Sequence, residues 1–446
     1  MKITLPDPAG FADCFASVTN TKLKNMVTGI ATDSRVLEPG DLYIALPGIN
    51  TDGHNFISDV ESEGCTSALV SYPNSGCNDI QQIKVNEPLN TIGQIASEWR
   101  TSIDIPVVGV TGTNGKTSTK ELLNHILSST MNVHATKGNF NTSIGVPLTL
   151  LTMTNDHHIS ILEMGANQTG DIKYLCEIAK PNHGLITNIA PAHLEGFGSI
   201  DDIAEEKGEL FKNLSDGYAF VNMADEKINK LSEINDKITY GLTPDCDFPA
   251  DIITEKDGNL TLIIDSEEIP TDSRNFSFLK NVIASASVSI TLGINWNDFR
   301  ERIITFSPPN GRCQVKQFNS ITIIDDTYNA NLESTLASLD YLNAFGGDGR
   351  NIFIFGDMLE LGNDSETHHR KIGKKCIDAG LDAVFLVGEE TKFADKELNS
   401  SIHHQHFKSK KKLIESLKNS FIDEDKILIK GSRGMAMETI IKDIFS

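Results

Sequence analysis

The sequence predicts a multidomain α/β protein built on mainly parallel sheets. Three observations carry this. At 446 residues the chain is too long for one ordinary core, which points to two to three domains. From residue 106 onward, short apolar runs end in glycine or polar loops, with helical patterns between most of them. That alternation builds right-handed βαβ units. An apolar content of 39% beside 22% charged residues fits a packed globular fold, and no apolar run is long enough to span a bilayer.

Taken in order, residues 1 to about 100 read as short strands and turns, with "DLYIALPG" and "TSALVSY" as strands. Residues 106 to about 310 repeat strand, loop and helix. Their buried-strand candidates are "PVVGV", "HISILEM", "HGLITNI" and "YAFVNM". A hairpin turning at Asp257-Gly258-Asn259 interrupts them. "SPPNGR", at 307 to 312, reads as a linker. After it "ITIIDDT", "NIFIFGD", "DAVFLVG" and "KILIKGS" form a second α/β unit, whose ligands are expected at the carboxyl ends of the strands. No internal repeat interrupts this order.

Charge narrows the partners. A formal net charge of −22 repels nucleic acid and anionic membrane, so neither is expected, and any anionic substrate needs cations placed locally. Cys14, Cys65, Cys77, Cys176, Cys246, Cys313 and Cys376 are scattered without a Cys-x-x-Cys pair, which fits a reducing compartment. The opening "MKITLPDPAGFADCFASV" lacks the apolar core of a secretory signal, so the cytoplasm is the expected location.

The most informative stretch is "GVTGTNGKTSTKELLNHIL" at 109 to 127. Gly112 and Gly115 let the backbone approach a polyphosphate, with Thr113, Asn114 and Ser118 completing the loop. Lys116 reaches the β and γ phosphates, and the Thr117 hydroxyl suits Mg²⁺. The strict phosphate-loop pattern wants a glycine where Val110 stands, so the match fails at one position. A plain glycine turn is the alternative, but Gly-Lys-Thr at a strand-to-helix junction favours a nucleotide. Glu163 ends the strand "HISILEM" and is a candidate Mg²⁺ ligand. Taken alone, it reads equally well as a solvated strand end. His193 in a loop and Lys207 on an amphipathic helix with Ile203, Leu210 and Phe211 carry no chemical signal by themselves.

These stretches, with "TDSRVLEPGDLYIALPG", "KGNFNTSIGVPLTLL", "EMGANQTGDIKYL", "LITNIAPAHLEGFGSIDDIAEEKGELF", "IDDTYNANLEST", "FGDMLELG" and "KGSRGMAME", resemble the Mur ligases over nearly the whole chain. "EMGAN", "AHLEGFGS" and "DDTYNAN" resemble the member that adds D-alanyl-D-alanine to UDP-N-acetylmuramoyl tripeptide. The resemblance implies three domains. Residues 1–100 would form a small α/β UDP-substrate domain, 101–311 a central phosphate-loop ATPase domain, and 312–446 a Rossmann-like α/β domain on the nucleotide and dipeptide side.

It also implies roles. Lys116 and Thr117 would handle ATP and Mg²⁺. Glu163 would ligate one magnesium and His193 a second, with Lys207 carbamylated beside it. Arg312 would face the phosphates, Asp326 the ribose, with Tyr328 and Asn331 alongside. Asn281 would lie at the adenine, Ser34 and Arg35 near the UDP end, and Asn139, Asn141 and Thr142 at the muramoyl substrate. The sequence departs from the family at Lys280, Ala284, Thr142 and Ala436. Ala284 replaces an amide, which implies looser base discrimination. The implied cofactors are ATP and two Mg²⁺, and the chain is expected to act as a monomer.

Amide formation needs an activated carboxylate, so the expected route is phosphorylation by ATP and attack by the dipeptide amine on the acyl phosphate. The rivals are a sister amide ligase (for the third stem residue, or a folylpolyglutamate synthase), a phosphate-loop GTPase switch and an inactive nucleotide-binding scaffold. "DDTYNAN" argues against the first. "NKLS" at 229 to 232 lacks the aspartate of a guanine motif and argues against the second. Intact Lys116, Glu163, His193 and Lys207 argue against the third.

Overall fold

A computed structural model describes residues 1–48, 51–192, 194–231, 236–418 and 420–445. Three sheets follow one another along the chain. The first holds β1 (Lys2–Thr4), β2 (Gly29–Ala31), β3 (Asp41–Ile44), β4 (Ser67–Val70) and β5 (Gln81–Lys84), in that order. Only the β1–β2 pair is antiparallel.

The second holds β6 (Val107–Thr111), β7 (Val133–Ala135), β8 (Ile159–Glu163), β9 (His183–Ile186), β10 (Ala219–Asn222), β11 (Lys237–Gly241), β12 (Phe248–Thr254), β13 (Leu260–Ile264) and β14 (Glu267–Pro270). Their order is β14-β13-β12-β11-β10-β9-β6-β8-β7. It is parallel from β7 to β12, and the expected hairpin extends it as an antiparallel meander. From β6 the chain leaves toward β7 on one side, yet β9 pairs on the other. The crevice between the carboxyl ends of β6 and β9 is therefore a topological switch point, where open α/β sheets hold ligands.

The third sheet holds β15 (Gln314–Phe318), β16 (Ile321–Asp326), β17 (Asn351–Gly356), β18 (Ala383–Val387), β19 (His403–Phe407) and β20 (Lys426–Lys430), ordered β15-β16-β20-β17-β18-β19. Its one antiparallel pair is β15 with β16.

The amino-terminal hundred residues are not only strands and turns. Helices Pro8–Thr19 and Pro88–Thr101 cover the first sheet. Phe11 and Phe15 lie one turn apart and are buried, as are Ile92, Ile95, Ala96 and Trp99 at helical spacing. These side chains join Leu148, Leu150 and Leu175 of the second unit in one continuous core. Trp99 Nε1 donates to the Met153 carbonyl across that junction at 3.0 Å. The opposite face of the second sheet packs on helices Lys116–Leu127 and Phe276–Thr291. No helix among the described residues is long and apolar enough to cross a membrane.

Candidate nucleotide and metal site

The phosphate loop leaves β6 at the switch point. Val110, at the position where the strict pattern wants glycine, is a fully buried strand residue in register with Glu163 and Leu185. No turn occurs there, so no glycine is needed. The turn begins at Gly112, with φ +142°, and closes at Gly115, with φ +82°. A Cβ on Gly112 would lie 2.0 Å from Thr187 Oγ1, and one on Gly115 2.7 Å from Asn281 Oδ1. Both positions therefore demand glycine.

The end of β9 holds the loop in place. Thr113 N donates to the Asn188 carbonyl at 2.9 Å, and Asn114 N to Asn188 Oδ1 at 2.7 Å. Thr187 Oγ1 donates to the Asn114 carbonyl at 2.6 Å. Sequence reasoning missed Thr187 and Asn188. The signal was present as a polar pair closing the buried run "HGLI".

Helix Lys116–Leu127 starts at the loop and carries the cation. Lys116 Nζ donates to the Gly112 and Thr113 carbonyls at 2.7 and 3.1 Å. Burial lowers its pKa to about 8; Arg312 adds to the fall and Glu163 opposes it.

Glu163 is 1% exposed, so it is not the solvated strand end that its position alone allowed. Its Oε1 accepts from Thr117 Oγ1 at 3.1 Å and from Asn141 Nδ2 at 2.7 Å. Its Oε2 is buried without a protein partner. A buried carboxylate oxygen left open beside a threonine hydroxyl is a donor set that fits a hard cation such as Mg²⁺.

Lys207 sits on helix Ile200–Lys212 and is 4% exposed, not on a solvated face. Burial is the main cause that brings its pKa down to about 7, with Lys116 as the neighbouring cation and Glu206 opposing. His193 lies outside the described residues.

The third sheet closes the site from the other side. Arg312 Nη2 donates to Thr117 Oγ1 at 3.0 Å, and its guanidinium stacks 3.8 Å from the Tyr328 ring centroid. Arg312 Nε is buried without a protein partner. Asn331 Nδ2 donates to Asn114 Oδ1 at 2.7 Å, while Asn331 also caps helix Leu332–Ala344. Asp326 accepts from Cys313 N at 3.1 Å, from Ser338 Oγ at 2.6 Å and from the buried Lys430 ammonium. Lys430 and Ser338 were not legible as partners, because only the fold brings them to Asp326.

A cleft of about 1340 Å³ joins most of these groups, but Lys207 does not line it. Thr113, Asn114, Gly115, Lys116, Ser118, Asn139, Asn141, Thr142, Glu163, Asn281, Arg312, Asp326, Tyr328 and Asn331 all line it, as do Lys280 and Ala284. Gly112 and Thr117 belong to the loop without lining the cleft. Ser34 and Arg35 are not brought to it. They lie on the 3₁₀ turn Ser34–Val36 after β2, where Arg35 is largely exposed and paired with Asp33 at 2.7 Å.

A glycine loop at a sheet switch point, with a lysine, a hydroxyl and an open carboxylate at its mouth, defines a phosphate-loop nucleotide enzyme. Family models then place the chain within that class. "Mur ligase family, catalytic domain" matches residues 26–99, "Mur ligase middle domain" residues 110–288, and "Mur ligase, glutamate ligase domain" residues 311–433. The chain is 34% identical to the UDP-N-acetylmuramoyl-tripeptide–D-alanyl-D-alanine ligase of Synechocystis sp., over 100% of this chain and 98% of that one. It is 32% identical to the Escherichia coli enzyme of the same name, over 96% and 98%. Its structure is similar to a MurF from Acinetobacter baumannii, with TM-score 0.88, 28% identity and coverage of 97% and 98%. A Thermotoga maritima MurF in complex with ADP gives TM-score 0.81 at 27% identity, over 93% and 96%. The chain belongs to the Mur ligase family.

Proposed function

We propose that this chain is the ATP-dependent ligase that joins D-alanyl-D-alanine to UDP-N-acetylmuramoyl tripeptide in peptidoglycan precursor synthesis. Relatives of that name at 31 to 34% identity, spanning nearly the whole chain, support the reading. The observation that carries it is the Arg312–Thr117 hydrogen bond. It joins the segment entering the third unit to the start of the phosphate-loop helix, so the two units face each other across one cleft.

We assign residues 1–100 to the UDP-muramoyl substrate, 101–311 to ATP and 312–446 to the nucleotide's far side and the dipeptide. The tripeptide's terminal carboxylate attacks the γ-phosphorus of ATP; the P–O bond to ADP breaks, and an acyl phosphate forms. The dipeptide amine then attacks the acyl carbon, phosphate leaves with the C–O bond pair, and the amine gives up a proton. Lys116 and Arg312 place positive charge where two anions meet. Asn139, Asn141 and Thr142 orient the muramoyl peptide beside Glu163. Asp326 lies toward the ribose, Asn281 toward the base, and Ser34 and Arg35 toward the uridine end.

Glu163 and Thr117 would hold one Mg²⁺, with His193 and Lys207 at a second. Bound there, magnesium would neutralise the phosphate charge. We assign Lys207 as a carbamate: its neutral amine bonds to the carbon of CO₂ and loses a proton, turning a cation that repels Mg²⁺ into an oxygen donor. Burial and Lys116 supply the neutral amine. The enzyme is assigned to the cytoplasm, acting as a monomer.

The test is phosphate release from ATP with UDP-N-acetylmuramoyl tripeptide, with and without D-alanyl-D-alanine. Release that requires both is expected. Equal release without either one overturns the reading.

A further inference from the structure

Lys120 is fully buried, four residues after Lys116 on the same helix. Long charged side chains almost never lie inside a fold unless something fixes them there. Lys120 Nζ donates to the Thr136 carbonyl at 2.7 Å and pairs with Glu121. Thr136, 1% exposed, immediately follows the edge strand β7. Its N–H donates to the Ile161 carbonyl at 3.0 Å, and the next ladder donor, Glu163 N, bonds the Thr136 hydroxyl instead of its carbonyl, which leaves that carbonyl to Lys120. An apolar side chain at position 120 would leave that carbonyl buried and unpaired.

The Thr136 side chain extends the link. Its Oγ1 accepts from Glu163 N at 3.0 Å, at the carboxyl end of β8. Thr136 also opens the segment that carries Asn139, Asn141 and Thr142. Asn141 returns to the same place: its carbonyl accepts from Gly165 N at 2.8 Å, and its Nδ2 donates to Glu163 Oε1 at 2.7 Å. The phosphate-loop helix is thus tied through one ammonium to both the open carboxylate and the asparagine segment facing it.

We propose that Lys120 is a positioning residue that sets Glu163 and the 139–142 segment in register with the phosphate loop. It touches neither substrate. It acts through Thr136, and the inference rests on the functional reading above only for what those two groups bind.

The experiment is calorimetric binding of ADP with and without Mg²⁺, paired with steady-state kinetics, for the native protein and Lys120→Met. The metal-free ADP affinity is expected to stay within about twofold, because the phosphate loop itself is intact. The gain in affinity on adding Mg²⁺ should fall about fivefold or more, and the KM for the UDP-muramoyl peptide should rise by a similar factor, as expected for losing one buried charge-assisted hydrogen bond. The KM for D-alanyl-D-alanine should not move. A folded Lys120→Met protein with native Mg²⁺ gain and native peptide KM overturns the proposal, whatever its melting temperature.

If that variant does not fold, Thr136→Val takes its place. It keeps the carbonyl that Lys120 uses and removes the acceptor for Glu163 N. Loss of the Mg²⁺ gain with unchanged metal-free binding is again expected, and an unchanged gain again overturns the proposal. Failure of the native protein to show any Mg²⁺ gain overturns the functional reading as well, and so is distinguished from failure in the variants alone.

Discussion

A lysine whose pKa is about 7 is the residue that most constrains the chemistry. Lys207 ordinarily titrates near 10.5, and burial disfavours its charged form in the fold. Its folded pKa is depressed, so below pH 7 the native state carries a buried charge that the unfolded chain holds at no cost. Between about 7 and 10.5 the unfolded state binds the extra proton, and stability rises with pH through that window. In CO₂-free buffer, Lys207→Met is therefore expected to melt above the native protein at pH 6, with the gap shrinking by pH 9. A pH-independent gap would mean that Lys207 is not titrating in this range. Activity should rise with pH in the same direction, since a carbamate needs the neutral amine. Lys207→Ala should lose turnover and recover part of it with short-chain carboxylic acids, while Lys207→Arg stays inactive.

At this scale the sequence was legible where backbone geometry dictates residue type. Gly112, Gly115, Lys116 and Thr117 announce themselves because few other residues make that turn. Thr187, Asn188, Lys120 and Lys430 do not, because a polar residue's burial depends on strands far away in the chain.

Among elements, the helix Pro88–Thr101 joins the first sheet to the second. Trp99 and Ile95 pack in a core shared by both, and the Trp99 indole bonds to Met153 beyond the junction. Trp99→Ala should cost about 3–5 kcal/mol, the range for emptying a buried aromatic site. Denaturant unfolding followed by circular dichroism checks this. One lower midpoint for both sheets is expected, and separate transitions with an unshifted second sheet would contradict a shared core.

Central strands were readable as apolar runs. The edge strands β15 and β19, "QVKQF" and "HHQHF", were not, because an edge buries little and leaves polar side chains on both faces. Helix Pro8–Thr19 was missed for a related reason. Its two phenylalanines are the only fully buried residues among small and polar ones, which reads as loop without the sheet they cover.

For the whole molecule, side-chain hydrogen bonds link the third unit to the phosphate loop. Asn331 makes one to Asn114 while capping its own helix. Asn331→Ser keeps a capping oxygen but shortens the reach to Asn114. Losing that bond should cost about 1 kcal/mol, roughly fivefold in the KM for ATP, with little change in melting temperature. An unchanged KM would remove the contact from nucleotide binding.

The central claim is that ATP activates the tripeptide carboxylate as an acyl phosphate in this cleft. The direct measurement uses UDP-N-acetylmuramoyl tripeptide labelled with ¹⁸O in its terminal carboxylate, turned over with ATP and D-alanyl-D-alanine, followed by mass analysis of the released phosphate. One ¹⁸O atom is expected to pass from carboxylate to phosphate in each turnover. Phosphate free of label, released while the amide forms, would contradict it.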